Sequence, residues 1–267
     1  MCDVCVKHGE GKKWYLESTF YAEELEKAGK REYLAKKAYE RFEWFFARSM
    51  PYLGFFKAIP GLAKLVDYPV EAIMKREHYG QVIPIEDVIL ALDLATSIYR
   101  QPCVCKSLLR GKHDHNLCLG FGLFPENYFK SYADYSEYTV RIDKEEAVEL
   151  MREAEKRGYI HTIWTYRTPY IGKMCNCDIP DCAAFTTRTK FGTRTVYKSE
   201  YIFFVEPDFC NGCMACLKRC QFGAIHYSPI TKKVTIDSSA CFGCGVCRVS
   251  CKQNAIKFRT RPKEGSW

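Results

Sequence analysis

Eight cysteines near the C-terminus repeat one pattern. A single constant offset lays Cys210, Cys213, Cys216 and Cys220 on Cys241, Cys244, Cys247 and Cys251. The same offset carries Ala224 and Ile225 onto Ala255 and Ile256, and Tyr227 onto Phe258. Each copy reads as strand, cysteine loop, short helical turn and strand: YIFFVEP before the first loop and AIHYS after it, then KVTID and AIKFR. A unit this small cannot bury a core alone, so two copies are expected to pack as a pseudo-twofold pair.

The chain has 267 residues, 47% of them hydrophobic, which is enough for one good core or two modest ones. Its 16 cysteines are too many for an ordinary enzyme, and MCDVCVKHGEGKKWYL offers no apolar secretory run. A reducing, cytoplasmic setting is expected, where clustered thiols bind metal or do redox chemistry. No stretch reaches the roughly 18 apolar residues of a membrane span.

The segment from Tyr201 to Arg259 resembles the bacterial-type ferredoxin domain that holds two [4Fe–4S] clusters. The resemblance implies that Cys210, Cys213, Cys216 and Cys251 hold one cluster, and Cys241, Cys244, Cys247 and Cys220 the other. Gly212, Gly243 and Gly245 then fall where the loops bring backbone N–H groups close to cluster sulfur. A pair of tetrathiolate zinc sites would also use C-x-x-C pairs, but two complete quartets in register weigh against zinc. The sequence departs from the family at Gln221 and Lys252, which stand where proline usually follows the fourth cysteine. Each adds a backbone N–H and frees the turn, which bears on potential and stability. The basic residues Lys218, Arg219, Arg248 and Lys252 lie in or beside the loops. The formal net charge is +8. Two oxidised clusters of about −2 each would bring it to roughly +4. The basic residues are scattered, and no basic stripe interleaved with aromatics marks a nucleic-acid surface.

Ahead of the tail, periodicity predicts a helix from about Ala22 to Arg48, closed by Pro51, and a second from about Pro84 to Tyr99 that delivers the chain to Cys103. PYLGFFKAIPGLAKLV reads as a packed connector. Asp143 with Glu146 and a terminal Gly158 predict a capped helix, followed by a strand at YIHTIW. The expected class is α+β: a mostly helical, cysteine-containing domain over 1–199, then a ferredoxin-like dicluster domain over 200–267, built of two pseudo-twofold ββ/short-helix units. The stretch TTRTKFGTRTVYKSE suggests an exposed connection and a separable tail.

Eight further cysteines fall in three places: Cys2 and Cys5; Cys103, Cys105 and Cys118; Cys175, Cys177 and Cys182. Residues two apart on a strand point to one side, so each C-x-C can turn two thiolates toward one ion. One or two additional iron–sulfur clusters, or zinc, are the expected occupants; buried unliganded cysteines are the structural alternative. His8, His113 and His115 stand near these cysteines in the sequence as candidate ligands or proton donors, although an exposed loop histidine is the favoured account of each one singly. In motif order the chain is similar to poorly characterised ferredoxin-domain proteins of anaerobic microbes, which implies anaerobic redox metabolism.

The first function class is therefore an electron-transfer protein or redox subunit that passes single electrons to a redox protein partner. An alternative is an oxidoreductase with its catalytic metal or cluster in the N-terminal domain, fed by the tail. A redox-sensing DNA-binding protein is a second alternative, because a helix, a glycine and a strand also occur in winged-helix modules. No G-x-G-x-x-G after a strand and no P-loop point to nicotinamide or ATP use.

Overall fold

A six-stranded antiparallel sheet with two unlike faces organises the chain ahead of the tail. The computed structural model describes residues 10–17, 50–57, 62–77, 80–103, 105–107, 116–121, 139–167 and 170–263, with single positions 59 and 111. The strands are β1 Gly80–Val82, β2 Ile98–Gln101, β3 Cys118–Phe121, β4 Val140–Ile142, β5 Ile160–Arg167 and β6 Tyr170–Cys177. Their order is β1-β5-β6-β3-β2-β4. The long β5–β6 pair sets the register, with Ile163 opposite Met174 and Thr162 opposite Cys175.

Alternation along the strands gives each face its own partners. One face carries Leu119, Phe121, Ile163 and Met174 and packs against α3, Ile85–Leu94, and α4, Lys144–Arg157. The buried residues Ala147, Leu150, Met151 and Ala154 of α4 recur at helical spacing. The opposite face carries Val82, Cys118, Ile160, Trp164 and Cys177. Val70 and Met74 of α2, Ala63–Glu77, cover it, with Ala183, Ala184 and Phe185 of α5, Ala183–Phe191, and with Phe242 and Val246 of the tail.

The cap at α4 forms as the sequence implies: Asp143 accepts from Glu146 N–H at 2.8 Å, and Gly158 ends the helix at φ 94°. The predicted YIHTIW strand is the start of β5. Three expectations need correction. Among the described residues the N-terminal part combines its helices with a six-stranded sheet that a mostly helical reading does not include, because the short strands gain stability from the sheet and not from their own periodicity. The helix expected over Pro84 to Tyr99 stops at Leu94, and Ile98 to Gln101 pair with β3 and β4 instead. The connector PYLGFFKAIPGLAKLV is largely helical, in α1, Met50–Lys57, and α2, with Tyr52, Phe55 and Phe56 exposed. The predicted helix from Ala22 to Arg48 lies outside the described residues. Among the described residues no helix is long and apolar enough to cross a membrane.

The tail has the expected pseudo-twofold form. Strand β7, Tyr201–Val205, pairs with β10, Ile256–Thr260, and β8, Ile225–Ser228, pairs with β9, Lys233–Ile236, so each repeat lends one strand to each ribbon. Single 3-10 turns at Leu217–Arg219 and Arg248–Ser250 occupy equivalent places.

The connection to the tail is buried, against expectation. Thr193, Ser199 and Glu200 are fully buried and Val196 nearly so. The cause is pairing at the sheet edge: Tyr197 N–H donates to Gly80 O at 2.9 Å, and Val82 N–H donates to Tyr197 O at 3.0 Å. Arg261, 1% exposed, then pins the junction through Nε to Ser199 O at 2.7 Å and Nη2 to Cys241 O at 2.8 Å.

Two outcomes follow from this junction. A fragment spanning 198–267 would expose Phe222, Phe242 and Val246, so it should lose iron to a chelator faster than the intact protein under anaerobic conditions; equal rates would show that the interface adds nothing to cluster retention. Glu155 on α4 is buried with Oε1 unpartnered, near Glu86, which pairs with Arg248 of the tail at 2.5 Å. Burial pushes its carboxyl up to about 7, against the pull of Arg248 and with Glu86 adding to it. A raised acid favours the fold at low pH, and that contribution is lost as pH rises from about 4.5 through about 7. The loss is on the order of 3 kcal/mol. Glu155→Gln should flatten the fall of the anaerobic urea midpoint between about pH 5 and about pH 8.

Candidate metal centres

The two tail quartets come together in the crossed pattern that the ferredoxin resemblance implies. Cys210, Cys213, Cys216 and Cys251 line one cavity, walled by Val205, Val234 and Ile256. Cys220 instead acts electrostatically on Cys244 and Cys247 together with Cys241. The fourth cysteine of each repeat thus serves the other repeat's loop.

The loops carry the backbone features that cluster sulfur needs. Gly212 and Gly243 have φ of 69° and 72°, and a Cβ on them would run into the carbonyl oxygens of Lys232 and Tyr201. Ala224 N–H and Ala255 N–H each donate to the sulfur of the preceding fourth cysteine, Cys220 and Cys251, at 3.3 Å. Burial pushes Cys244 up to about 12, and pushes Cys247 well up. Buried thiols of this kind ionise only against a metal's positive charge. Four sulfur donors at each site, N–H groups aimed at sulfur and apolar walls fit a cubane cluster.

The quartets differ in exposure. Cys213 is exposed, with Phe209 and Met214 exposed on the same loop. Cys241 and Cys247 are buried, and Cys244 packs with Phe242 and Val246 into the apolar cluster on the second sheet face.

That cluster also gathers the N-terminal thiols. Cys103 follows β2 into a turn closed by Ser107 N–H to Cys103 O at 2.9 Å, Cys118 opens β3, and Cys175 and Cys177 end β6. Cys182 stands at the N-cap of α5. All five, and Cys105 with them, lie in or against one apolar group. The two C-x-C triplets therefore meet in a single thiol group rather than forming separate shells.

Thiol interactions run through this group. Cys118 pushes the Cys103 thiol up to about 11, against Cys177 and with burial adding. Cys118 is pulled down by Cys103, but Cys175 and burial outweigh that and push it up to about 12. Cys182 is held well below the ordinary thiol range by Cys105 and Cys177 and by the N–H of Phe185 in the first turn of α5. Further N–H groups, of Lys106 and Ala183, reach Cys103 and Cys105. Lys106 itself is buried between Asp178 at 3.4 Å and Asp181 at 3.2 Å. Its role was missed in the sequence; the only signal was a lysine directly after C-x-C and two aspartates flanking Ile-Pro.

Among the described residues, no three or more His, Cys, Asp or Glu side chains gather around a single-ion position. Cys2, Cys5, His8, His113 and His115 lie outside the described residues.

Gln221 joins the two halves. Its Oε1 accepts from Ile179 N–H at 2.7 Å, between Cys177 and Cys182, and its Nε2 donates to Gly158 O at 2.6 Å. Next to it Phe222 stacks on Phe242 with centroids 4.0 Å apart and meets Phe185 edge-on. The equivalent Lys252 is exposed.

Residues 209–255 match the 4Fe-4S dicluster domain, a span that contains both tail quartets. The tail is thus an iron–sulfur, ferredoxin-type dicluster module, and this supports electron transfer in general terms. No curated protein matches the chain.

Exposed Lys252, beside Cys251, offers a direct test of charge at the first quartet. Reduction makes a cluster more negative, so a nearby cation favours the reduced form. Lys252→Glu should lower one of two potentials in anaerobic voltammetry; an unchanged or raised pair would remove the lysine from the account.

Proposed function

We propose that this chain is a single-electron carrier, or a redox subunit, in which two tail clusters are joined to a third metal centre held by the N-terminal thiols. The observation that carries this reading is shared burial: the second quartet's Cys244 packs into the same apolar group as Cys103, Cys105, Cys118, Cys175, Cys177 and Cys182.

A [4Fe–4S] cluster, when bound, supplies one-electron storage and release. This chain's residues set the conditions for it. Of Cys210, Cys213, Cys216 and Cys251, Cys213 brings the first tail site to the surface, whereas none of Cys241, Cys244, Cys247 and Cys220 at the second is exposed. Gln221, one residue after Cys220, fixes the second site against the loop from Cys177 to Cys182 through two hydrogen bonds. The N–H groups around Cys103, Cys105 and Cys182 and the Lys106 cation favour negative charge on the N-terminal centre.

Anaerobically purified protein should hold about twelve irons and about twelve acid-labile sulfides, against about eight for the tail alone. The double variant Cys103→Ser, Cys177→Ser should return to about eight with the tail spectrum intact. A wild-type content of eight irons without zinc would leave the N-terminal thiols as core residues; eight irons with stoichiometric zinc would make the domain a structural adaptor.

A further inference from the structure

Six thiols are two more than one four-ligand centre uses, and these six do not interact evenly. Cys103, Cys105, Cys177 and Cys182 form a closed group: Cys177 interacts with Cys103 and Cys182, Cys182 with Cys105, and Cys105 with Cys103. Cys118 reaches that group through Cys103, and its other thiol neighbour is Cys175.

We propose that Cys103, Cys105, Cys177 and Cys182 are the ligands of the N-terminal centre, and that Cys118 and Cys175 are a redox-active dithiol beside it that reduces disulfide substrates. The ligand assignment rests on the function proposed above, while the dithiol rests on its own geometry.

Strands β3 and β6 are antiparallel, with Leu119 opposite Met174 and Gly120 opposite Lys173. One step further along the same register, Cys118 faces Cys175. Directly opposed residues in such a pair have Cα atoms about 4.5 to 5.5 Å apart, inside the range of about 4.4 to 6.8 Å that a disulfide spans. The two thiols differ in access, since Cys175 is half-buried and Cys118 fully buried. An accessible attacking sulfur with a covered resolving sulfur is the arrangement that thiol–disulfide exchange requires. Both side chains lie on the sheet face that also receives the second tail quartet.

The Cys175 sulfur, having given up its proton, attacks one sulfur of the substrate disulfide. The substrate S–S bond breaks, a mixed disulfide forms, and the departing substrate sulfur takes a proton. The Cys118 sulfur attacks Cys175 Sγ as its proton passes to the second substrate sulfur, the mixed disulfide breaks, and that sulfur leaves as a thiol. The substrate gains two electrons and two protons, and Cys118 and Cys175 lose the same number to form one S–S bond. Two single electrons and two protons would restore the dithiol, and clusters held by Cys210, Cys213, Cys216 and Cys251 and by Cys241, Cys244, Cys247 and Cys220 would supply those electrons one at a time.

The test uses full-length protein, purified anaerobically, with Cys118→Ser and Cys175→Ser variants. Protein is treated with oxidised glutathione or, as a protein disulfide, insulin, then alkylated and mapped by peptide mass before and after photoreduction. The expected result is a stoichiometric Cys118–Cys175 disulfide that photoreduction reopens, with wild-type iron content in both serine variants and at least a tenfold loss of disulfide reduction in each. Turnover with insulin but not glutathione would identify a protein substrate, and the reverse a small one. Loss of the iron in excess of the tail's from either variant would overturn the partition by making that residue a ligand. Absence of the Cys118–Cys175 disulfide from wild-type protein would overturn the dithiol whatever the variants do. Wild-type protein without excess iron, yet with a reversible Cys118–Cys175 disulfide, would remove the third centre and uphold the dithiol.

Discussion

The apolar contact between the tail and the second face of the large sheet is the constraint on which the rest of the structure depends. Phe222, Phe242 and Val246 come from the cysteine loops, and they meet Phe185, Trp164 and Ile160 on a surface that also carries thiols. Burying aromatic rings supplies affinity, and the stacked and edge-on geometry of Phe222 supplies orientation. Because these rings sit beside Cys220, Cys241 and Cys244 in the chain, the contact that joins the halves also dries the second quartet. Polar ties at its rim, from Gln221, Arg219 and Arg261, fix the direction of approach.

This contact breaks the symmetry of the repeat. Equivalent positions keep equivalent backbone roles, as the matched N–H to sulfur bonds at Ala224 and Ala255 show. Their side chains do not. Gln221 replaces a rigid proline with an amide that reaches two backbone partners in the other domain, whereas Lys252 faces solvent. The departure at Gln221 thus has a structural cause, and the one at Lys252 leaves a cation near the first quartet.

The sequence made some of this legible and hid the rest for physical reasons. The tail could be read because its loops obey local rules: fixed cysteine spacing, positive-φ glycines and short strands repeated in register. Helix α4 was legible because Asp143, Glu146 and Gly158 define its ends locally. The large sheet was not, since strands such as β1, β2 and β3 have three or four residues and are stabilised by neighbours distant in the chain. The six N-terminal cysteines were recognisable as ligand types, but their meeting is set by the β3–β6 register and the cap of α5. The buried connection at Tyr197 misled for a related reason: its threonines look solvent-facing, and they are buried by long-range partners, Thr193 on Asp67 and Thr195 on Ala184 O, beside the edge pairing with β1.

Exposure gives the proposed path a direction. An electron leaves or enters a protein where a cluster's ligand loop meets the surface, and here that is the first quartet, with Cys213 exposed and Phe209 and Met214 beside it. The second quartet meets the N-terminal thiols' apolar group through Cys244, and its Cys247 lies near Cys216 of the first. Desolvation disfavours added negative charge, so burial alone would make the second site harder to reduce than the first. N–H groups directed at sulfur work the other way, and both quartets have them. Lys252 favours charge at the exposed site while Arg261 and Lys198 act on Cys241 of the second, so water is what favours charge at the exposed end. A partner docking over Cys213 would exclude that water and narrow the gap between the two sites, so contact at the surface would itself ease electron movement toward the interior.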